Sequence, residues 1–356
     1  MSSARAQEPD DPVAFFLRDM ELHGKSERTR SEYERVLERF TTFLSGRSGN
    51  SRVETADATG GLGPADATHR DCTAFVHELR TDPSLADSTV ATYAAYLHRF
   101  YAYMTQVGAF DANPMALVME ELDERIDPDP ARREISVPEM RSFVGEVTHP
   151  LDRALIVTLL KTGMRVGELC NLDLRDVALD RPVAPFDLGG RPQLDGRPDS
   201  LFVPAEPSVG DRYNGEERTA SNKRKRATVI PVDEELRTVL LRWLAIRPDT
   251  ASPAEPLFVG TRNGWGERLT PEQVQRVVRD HASAYGWYEA GAGVTENVTP
   301  HYFRHFFTTH LRERTGERGV VKYLRGDVAD DIVDTYTHNW GGNVRETYEE
   351  HVYSVT

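Results

Sequence analysis

Along the first third of the chain the apolar positions recur every three or four residues. Val13, Phe16, Leu17 and Met20 fall on one helical face, and Tyr33, Val36, Leu37, Phe40, Phe43 and Leu44 form a second stripe that opens near Ser26 or Arg28. Residues 46–66 are rich in Gly, Ser, Thr and Asp and read as a loop. Helical spacing resumes over 69–82 and 88–108, where Ser88 is the expected N-cap and Val90, Tyr93, Leu97, Phe100, Tyr101 and Met104 make the buried stripe. Residues 12–110 therefore predict a small all-helical domain.

Asn113-Pro114 ends that pattern, and the charged stretch Glu121 to Arg133, with Pro128 and Pro130, reads as a linker. The organisation expected is a helical domain over 12–117, a linker over 118–134 and a second domain over 135–356. In the second, Ser136, or Val137-Pro138, opens a helix. Leu151 to Leu160 is an apolar helix closed by Thr162-Gly163, the glycine suiting a left-handed cap, and a further helix carries Arg165 to Leu169. Residues 180–220 are rich in Pro, Gly and Asp, predicting a strand at Leu201-Phe202-Val203 within a long polar insertion. A second short strand, Ala227 to Val232, would place Ser221–Arg226 at a hairpin turn. Helices are expected over 234–246, 271–286, 299–313 and 343–352. The fold class is mainly α with a small β-hairpin (α+β).

Composition adds a complication. The 356 residues carry a formal net charge of −14 and an isoelectric point near 5.3. Of the 43 cationic residues only five are lysines: Lys25, Lys161, Lys223, Lys225 and Lys322. An acidic, lysine-poor, arginine-rich chain is what a high-salt cytoplasm, such as that of a halophilic archaeon, would favour; an acidic mesophilic protein is the plainer alternative. Net charge governs solubility and steering, not the local field of a cleft. Cys72 and Cys170 sit in no metal-binding pattern, Met1 to Asp11 lacks the apolar core of a secretory signal, and no apolar run is long enough to span a bilayer. A cytoplasmic, intracellular protein is expected. No G-x-G-x-x-G loop and no convincing carboxylate triad for a metal-dependent nuclease are present.

Four separated segments could carry chemistry. In Thr162-Gly163-Met164-Arg165-Val166-Gly167-Glu168-Leu169, two glycines allow a tight turn and put Arg165 at a helix start, where a guanidinium can fork onto phosphate oxygens. Ser221-Asn222-Lys223-Arg224-Lys225-Arg226 is a basic run in an acidic chain, and a lysine can hand a proton to a leaving group as a guanidinium cannot. In Thr299-Pro300-His301-Tyr302-Phe303-Arg304-His305, Thr299 caps, Pro300 suits the first helical position, and His301 and Arg304 share a face; His305 and His310 do not and read as structural. Asp334-Thr335-Tyr336-Thr337-His338 precedes a helix with Val344, Tyr348 and Val352 on one side. Taken singly, each has a plain explanation: a solvated arginine or charge run, an exposed helix start, a core tyrosine.

In order and spacing, however, the segments resemble the tyrosine recombinase (phage integrase, Xer-like) family over nearly the whole chain. Thr29 through Leu44, and Phe100-Tyr101, Gly108 and Asn113-Pro114, are similar to the family's helical, SAM-like core-binding domain; 134–356 resembles its catalytic domain. The resemblance matches Arg165 to the first arginine and His301 and Arg304 to the His-x-x-Arg pair. Lys223, eight residues before Pro231, matches the hairpin lysine, with Lys225 the fallback. Tyr336 matches the nucleophile, and Tyr348 becomes a packing residue. One position departs: nine residues before Tyr336, where the family usually has Gly-His or Gly-Trp, Gly326 is followed by Asp327, whose ionised carboxylate would repel a phosphate. Either Asp327 has another role or a group such as His338 moves in.

The resemblance implies attack of Tyr336 on a DNA phosphodiester, a 3′-phosphotyrosyl link, a freed 5′-hydroxyl, and reversal onto a partner strand. Neither metal nor other cofactor is implied. Arg165 and Arg304 would neutralise the transition state, His301 would assist deprotonation of Tyr336, and Lys223 would protonate the leaving oxygen. Arg224, Lys225 and Arg226 would contact DNA. The partners implied are duplex DNA, around which two domains clamp, and three further copies in a tetramer, with helix 343–352 docking on a neighbour. A type IB topoisomerase-like enzyme would use the same residues, and a noncatalytic DNA-binding relative would bind without covalent attachment.

Overall fold

The computed structural model describes residues 11–47, 62–122, 132–181, 183, 186–262, 264–293, 295–327 and 340–356. Its contacts divide the chain into two units, 1–130 and 131–356.

The first unit is built from α1 (Pro12–Leu22), α2 (Glu27–Arg47), α3 (His69–Thr81), α4 (Asp87–Gln106) and α5 (Ala116–Glu120). Local chemistry sets several starts. The Asp11 carboxylate accepts from the Val13 and Ala14 amides at 3.0 Å, ahead of a proline that needs no amide partner. Helix α4 begins at Asp87 after Ala86, so Ser88 lies inside the first turn and is not the cap. The stripes expected from periodicity meet in one core: Phe16, Leu37, Phe40, Phe75, Leu97, Phe100 and Met104 are all buried. Phe16 and Phe100 meet edge to face, 5.4 Å between centroids. Val118 belongs to this core, whereas Arg133 bonds to Thr295 in the second unit.

The second unit carries α6 (Val137–Glu146), α7 (Pro150–Thr162), α8 (Val166–Cys170), β1 (Val177–Ala178), β2 (Ser200–Val203), β3 (Arg212–Tyr213), β4 (Glu216–Glu217), β5 (Thr228–Pro231), α9 (Glu234–Leu244), α10 (Pro271–Ala284), α11 (Pro300–Thr315), α12 (Arg318–Arg325) and α13 (Trp340–His351). Ser136 caps α6 in a box with Glu139. Helix α7 is buried on every side, packed between α9 and α11, which is why its sequence is almost continuously apolar. Of its two cations, Arg153 and Lys161, the second is fully enclosed and is neutralised by Asp233 and Glu235 at 2.5 and 2.7 Å.

The three-stranded antiparallel sheet has the order β1-β2-β5, with Leu201 opposite Ile230. The connection from β2 to β5 is long. It contains the β3–β4 hairpin, turned by Asn214 and Gly215 at positive φ. Ser221–Arg226 therefore does not form the tip of a hairpin: it is the returning arm of this connection. The Asn222 amide fastens that arm to the Pro204 and Glu206 carbonyls and to Asn171. The polar insertion is itself held by arginines, Arg191 on Asp176 at 2.6 Å and Arg218 on Asp173 at 2.8 Å, with both carboxylates buried.

Helix α12 was not marked by the sequence pattern. The apolar stripe of α13 goes to its own unit: Val344 and Tyr348 are buried in the same core as Phe306 and Leu311. That face is consequently not exposed for docking on a neighbouring copy.

Candidate active site

Helix α7 stops at Gly163, whose φ of +61° is left-handed. A Cβ there would lie 2.3 Å from the Phe307 ring, so only glycine lets α11 approach this closely. The turn delivers Arg165 as the N-cap of α8, one position ahead of the first turn expected from sequence. Glu168, fully buried, holds it twice: one oxygen accepts from the Arg165 amide at 2.9 Å and the other from its guanidinium at 3.1 Å.

On α11, the Thr299 hydroxyl caps the helix by accepting from the Tyr302 amide. Phe303, Phe306, Phe307 and Leu311 anchor the buried face. Arg304 is buried as well, only 3% exposed, and gives Nη1 to the Gly163 carbonyl at 2.7 Å. Its Nη2 donates to both oxygens of Asp327 at 2.8 Å. Arg165 Nη2 reaches the same carboxylate at 2.9 Å, and Arg325 Nη2 reaches it at 2.9 Å from the end of α12. Three guanidiniums thus converge on one aspartate.

Burial alone would raise the Asp327 pKa, but Arg304, Arg325 and Arg165 hold it below the ordinary carboxylate value. Burial first, then the charges of Arg325 and Arg165, draw Arg304 down to about 10, which leaves it cationic at neutral pH. His301 lines the same cleft. Desolvation, then Arg132, Arg304, Arg325 and Arg165, push its pKa below the usual histidine value, so its imidazole is neutral and able to accept a proton near pH 7. The cleft encloses about 430 Å³ between Arg165, Gln275, Arg279, Tyr288, His301 and Arg304. Among the described residues that line it Arg165, Arg279 and Arg304 are cationic and none is a carboxylate, so a chain of net charge −14 still presents basic groups to this cavity.

The basic run divides. Arg224 is inside the protein: Nη2 pairs with Glu168 at 2.9 Å, Nη1 donates to the Leu324 carbonyl and the Thr228 hydroxyl, and both ionic side chains are fully buried. It cannot be a surface DNA contact, because the charge run in sequence hides a partner carboxylate from another segment. Lys223 and Lys225 are exposed, and Lys223 holds a left-handed φ of +46°. Arg226 lies over the Tyr323 ring at 5.6 Å. The Lys225 amide donates to the Gly326 carbonyl, bringing this arm beside Asp327. Glu168 and Arg325 were missed by sequence reasoning; the Arg165–Glu168 spacing of one helical turn was the available signal for the first.

Tyr336 and His338 lie outside the described residues. Tyr348 is fully buried, its hydroxyl donates to the Lys161 carbonyl at 2.9 Å, and burial raises its pKa far above normal, all suited to packing. His310 bonds to the Ile135 carbonyl.

Comparison with known proteins accords with this geometry. The sequence profile of the phage integrase family matches residues 137–341, and that of the phage integrase N-terminal SAM-like domain matches 14–107. Tyrosine recombinase XerC of Pelobacter propionicus is 24% identical over 95% of both chains, and tyrosine recombinase XerA of Pyrococcus horikoshii is 24% identical over 96% of this chain and 93% of that one. Among solved structures, the Tn1549 transposon integrase in complex with a circular intermediate DNA aligns with a TM-score of 0.62 at 17% identity, over 96% and 99% of the two chains. A lambda integrase dimer bound to a COC′ core site aligns at 0.59 and 15% identity, over 93% and 77%. The chain belongs to the phage integrase family and is a tyrosine-type site-specific recombinase, an enzyme that cleaves and rejoins DNA.

Proposed function

We propose that Tyr336 is the nucleophile of this recombinase and that Arg165, Arg304, His301 and Lys223 serve it. The observation that carries this reading is the convergence of Arg165 and Arg304 on one anion, the Asp327 carboxylate, beside a neutral His301 in the same cleft. The Tyr336 oxygen attacks phosphorus while His301 takes its proton. The P–O bond to the 5′-oxygen breaks, and Lys223, exposed on the arm beside the site, supplies the proton to that leaving group. The product is a 3′-phosphotyrosine, which a 5′-hydroxyl of a partner strand then attacks in reverse. Preorganised donors such as the two guanidiniums each contribute about 10²–10³ in rate, and the acid–base groups about 10²–10⁴.

In this reading the SAM-like domain and the catalytic domain clamp duplex DNA, with Lys225 and Arg226 adding backbone contacts that position without specifying. Four copies act on two paired sites, in the cytoplasm with the nucleoid. The arginine-rich, acidic composition suits activity at high salt, where counterion release adds little and fixed hydrogen bonds carry affinity.

The test is covalent trapping. A nicked duplex, selected from a randomised pool for retention by the protein, is incubated in high salt with EDTA and resolved on a denaturing gel. A slow-migrating adduct present in wild type and lost in Tyr336→Phe is expected. An adduct that survives Tyr336→Phe, or binding without any adduct, would overturn the assignment.

A further inference from the structure

Asp327 is held by the two arginines that the proposed reading assigns to the scissile phosphate. The guanidiniums of Arg165 and Arg304 come from positions 139 residues apart, yet both bond to this one carboxylate. A carboxylate and a phosphodiester each spread a single negative charge over two oxygens, so the same forked donors serve either.

We propose that Asp327 is an internal stand-in for the scissile phosphate: in the DNA-free protein it occupies the seat between Arg165 and Arg304, and when DNA enters it passes to Arg325. The proposal rests on the reading that these two arginines hold that phosphate.

Three features support the handover. Arg325 engages Asp327 through Nη2 only, and its buried Nε has no hydrogen-bond partner among the described residues. A rotated carboxylate can therefore take both Nε and Nη2 in a side-on fork. The backbone need not move: the Asp327 amide is fixed to the Lys322 carbonyl, and Gly326, at φ +69°, is wedged against the Arg224 stem, leaving no room for a Cβ. Finally, the carboxylate is ionised at neutral pH, so it cannot remain on Arg165 and Arg304 while a phosphate binds them. It offsets part of the charge of three clustered arginines in the absence of DNA and yields two of them in its presence.

Two measurements test this. In the first, inorganic sulfate is the probe, read as thermal stabilisation over chloride at matched ionic strength. Wild type should show no sulfate-specific gain, Asp327→Asn should show one, and Asp327→Asn/Arg165→Gln should lose it. In the second, the selected duplex is used. Asp327→Asn should bind it about tenfold more tightly or better, the effect of removing a competitor held by charged hydrogen bonds. Arg325→Gln should slow adduct formation, and adding Asp327→Asn should restore it, a rescue that a merely structural arginine would not permit. Asp327→Ser serves as the second neutral variant should Asn fail to fold. Equal sulfate binding by wild type and Asp327→Asn, weaker DNA binding by the neutral variants, or no rescue would overturn the proposal. Absence of adduct from wild type would instead overturn the phosphate reading, which the sulfate titration does not depend on.

Discussion

Arg224 offers the sharpest test of how the site is held. Its place in a run of four cations marks it as a DNA contact, whereas in the fold it is a buried counterion. Arg224→Gln removes the 2.9 Å pair to Glu168 and the bond to the Leu324 carbonyl, all within a region shielded from water. Breaking a buried pair from one side costs about 3–5 kcal/mol. Glu168 keeps two bonds to Arg165, which places the expected loss near the lower end, about 3 kcal/mol. For a unit spanning 131–356, that lowers the melting temperature by about 6–12 °C. The matched control is Arg226→Gln, which loses a cation–π contact of about 0.5–1 kcal/mol. Thermal melts and a double-mutant cycle with Glu168→Gln form the assay, with a coupling energy above about 1 kcal/mol expected. The salt dependence of DNA affinity should not change in Arg224→Gln, since a lost phosphate contact would reduce the slope by about one. If Arg224→Gln melted within about 2 °C of Arg226→Gln, or if its salt slope fell, the buried-counterion argument would be refuted.

The lowered pKa of His301 predicts an imidazole titration midpoint below 6.5 in the DNA-free protein, measured by NMR and assigned by its disappearance in His301→Asn; a midpoint at or above 6.5 would contradict the cation cluster. Glu235 clasps the segment after α13, accepting from the Val355 and Thr356 amides and the Ser354 hydroxyl, and also holds Lys161. Burial would raise its pKa, but these bonds lower it from 4.5 to about 2. The folded value is depressed, so the contribution is complete above pH 4.5 and is lost as pH falls toward 2. Glu235→Gln should remove on the order of 1–2 kcal/mol at pH 7, the linkage value reduced for the partial exposure of the carboxylate, with the difference from wild type narrowing across that acid window in denaturant melts.

What the sequence determined by itself was local or modular. Helical stripes in 12–45 and 88–108 needed only their period, and Ser136, Thr299 and Gly163 mark helix ends because capping is a matter of a few neighbouring residues. The spacing of Arg165 and His301-x-x-Arg304 singled those residues out, and the fold brings the three to one cleft; Tyr336 lies outside the described residues. The fate of each charge was decided only by tertiary structure. Periodicity reports which side chains avoid water, but whether an arginine does so depends on a carboxylate elsewhere. Arg224 is buried because Glu168, 56 residues away, is there to pair with it. Asp327 looked repulsive to phosphate as an isolated letter and became a ligand of three arginines only once α8, α11 and α12 met. The stripe on α13 announced burial without naming its partner, and the fold supplied one from its own core. Electrostatic pairing acts through space at a few ångströms, whatever the separation along the chain, and that distance is set by the packing of the helices around α7.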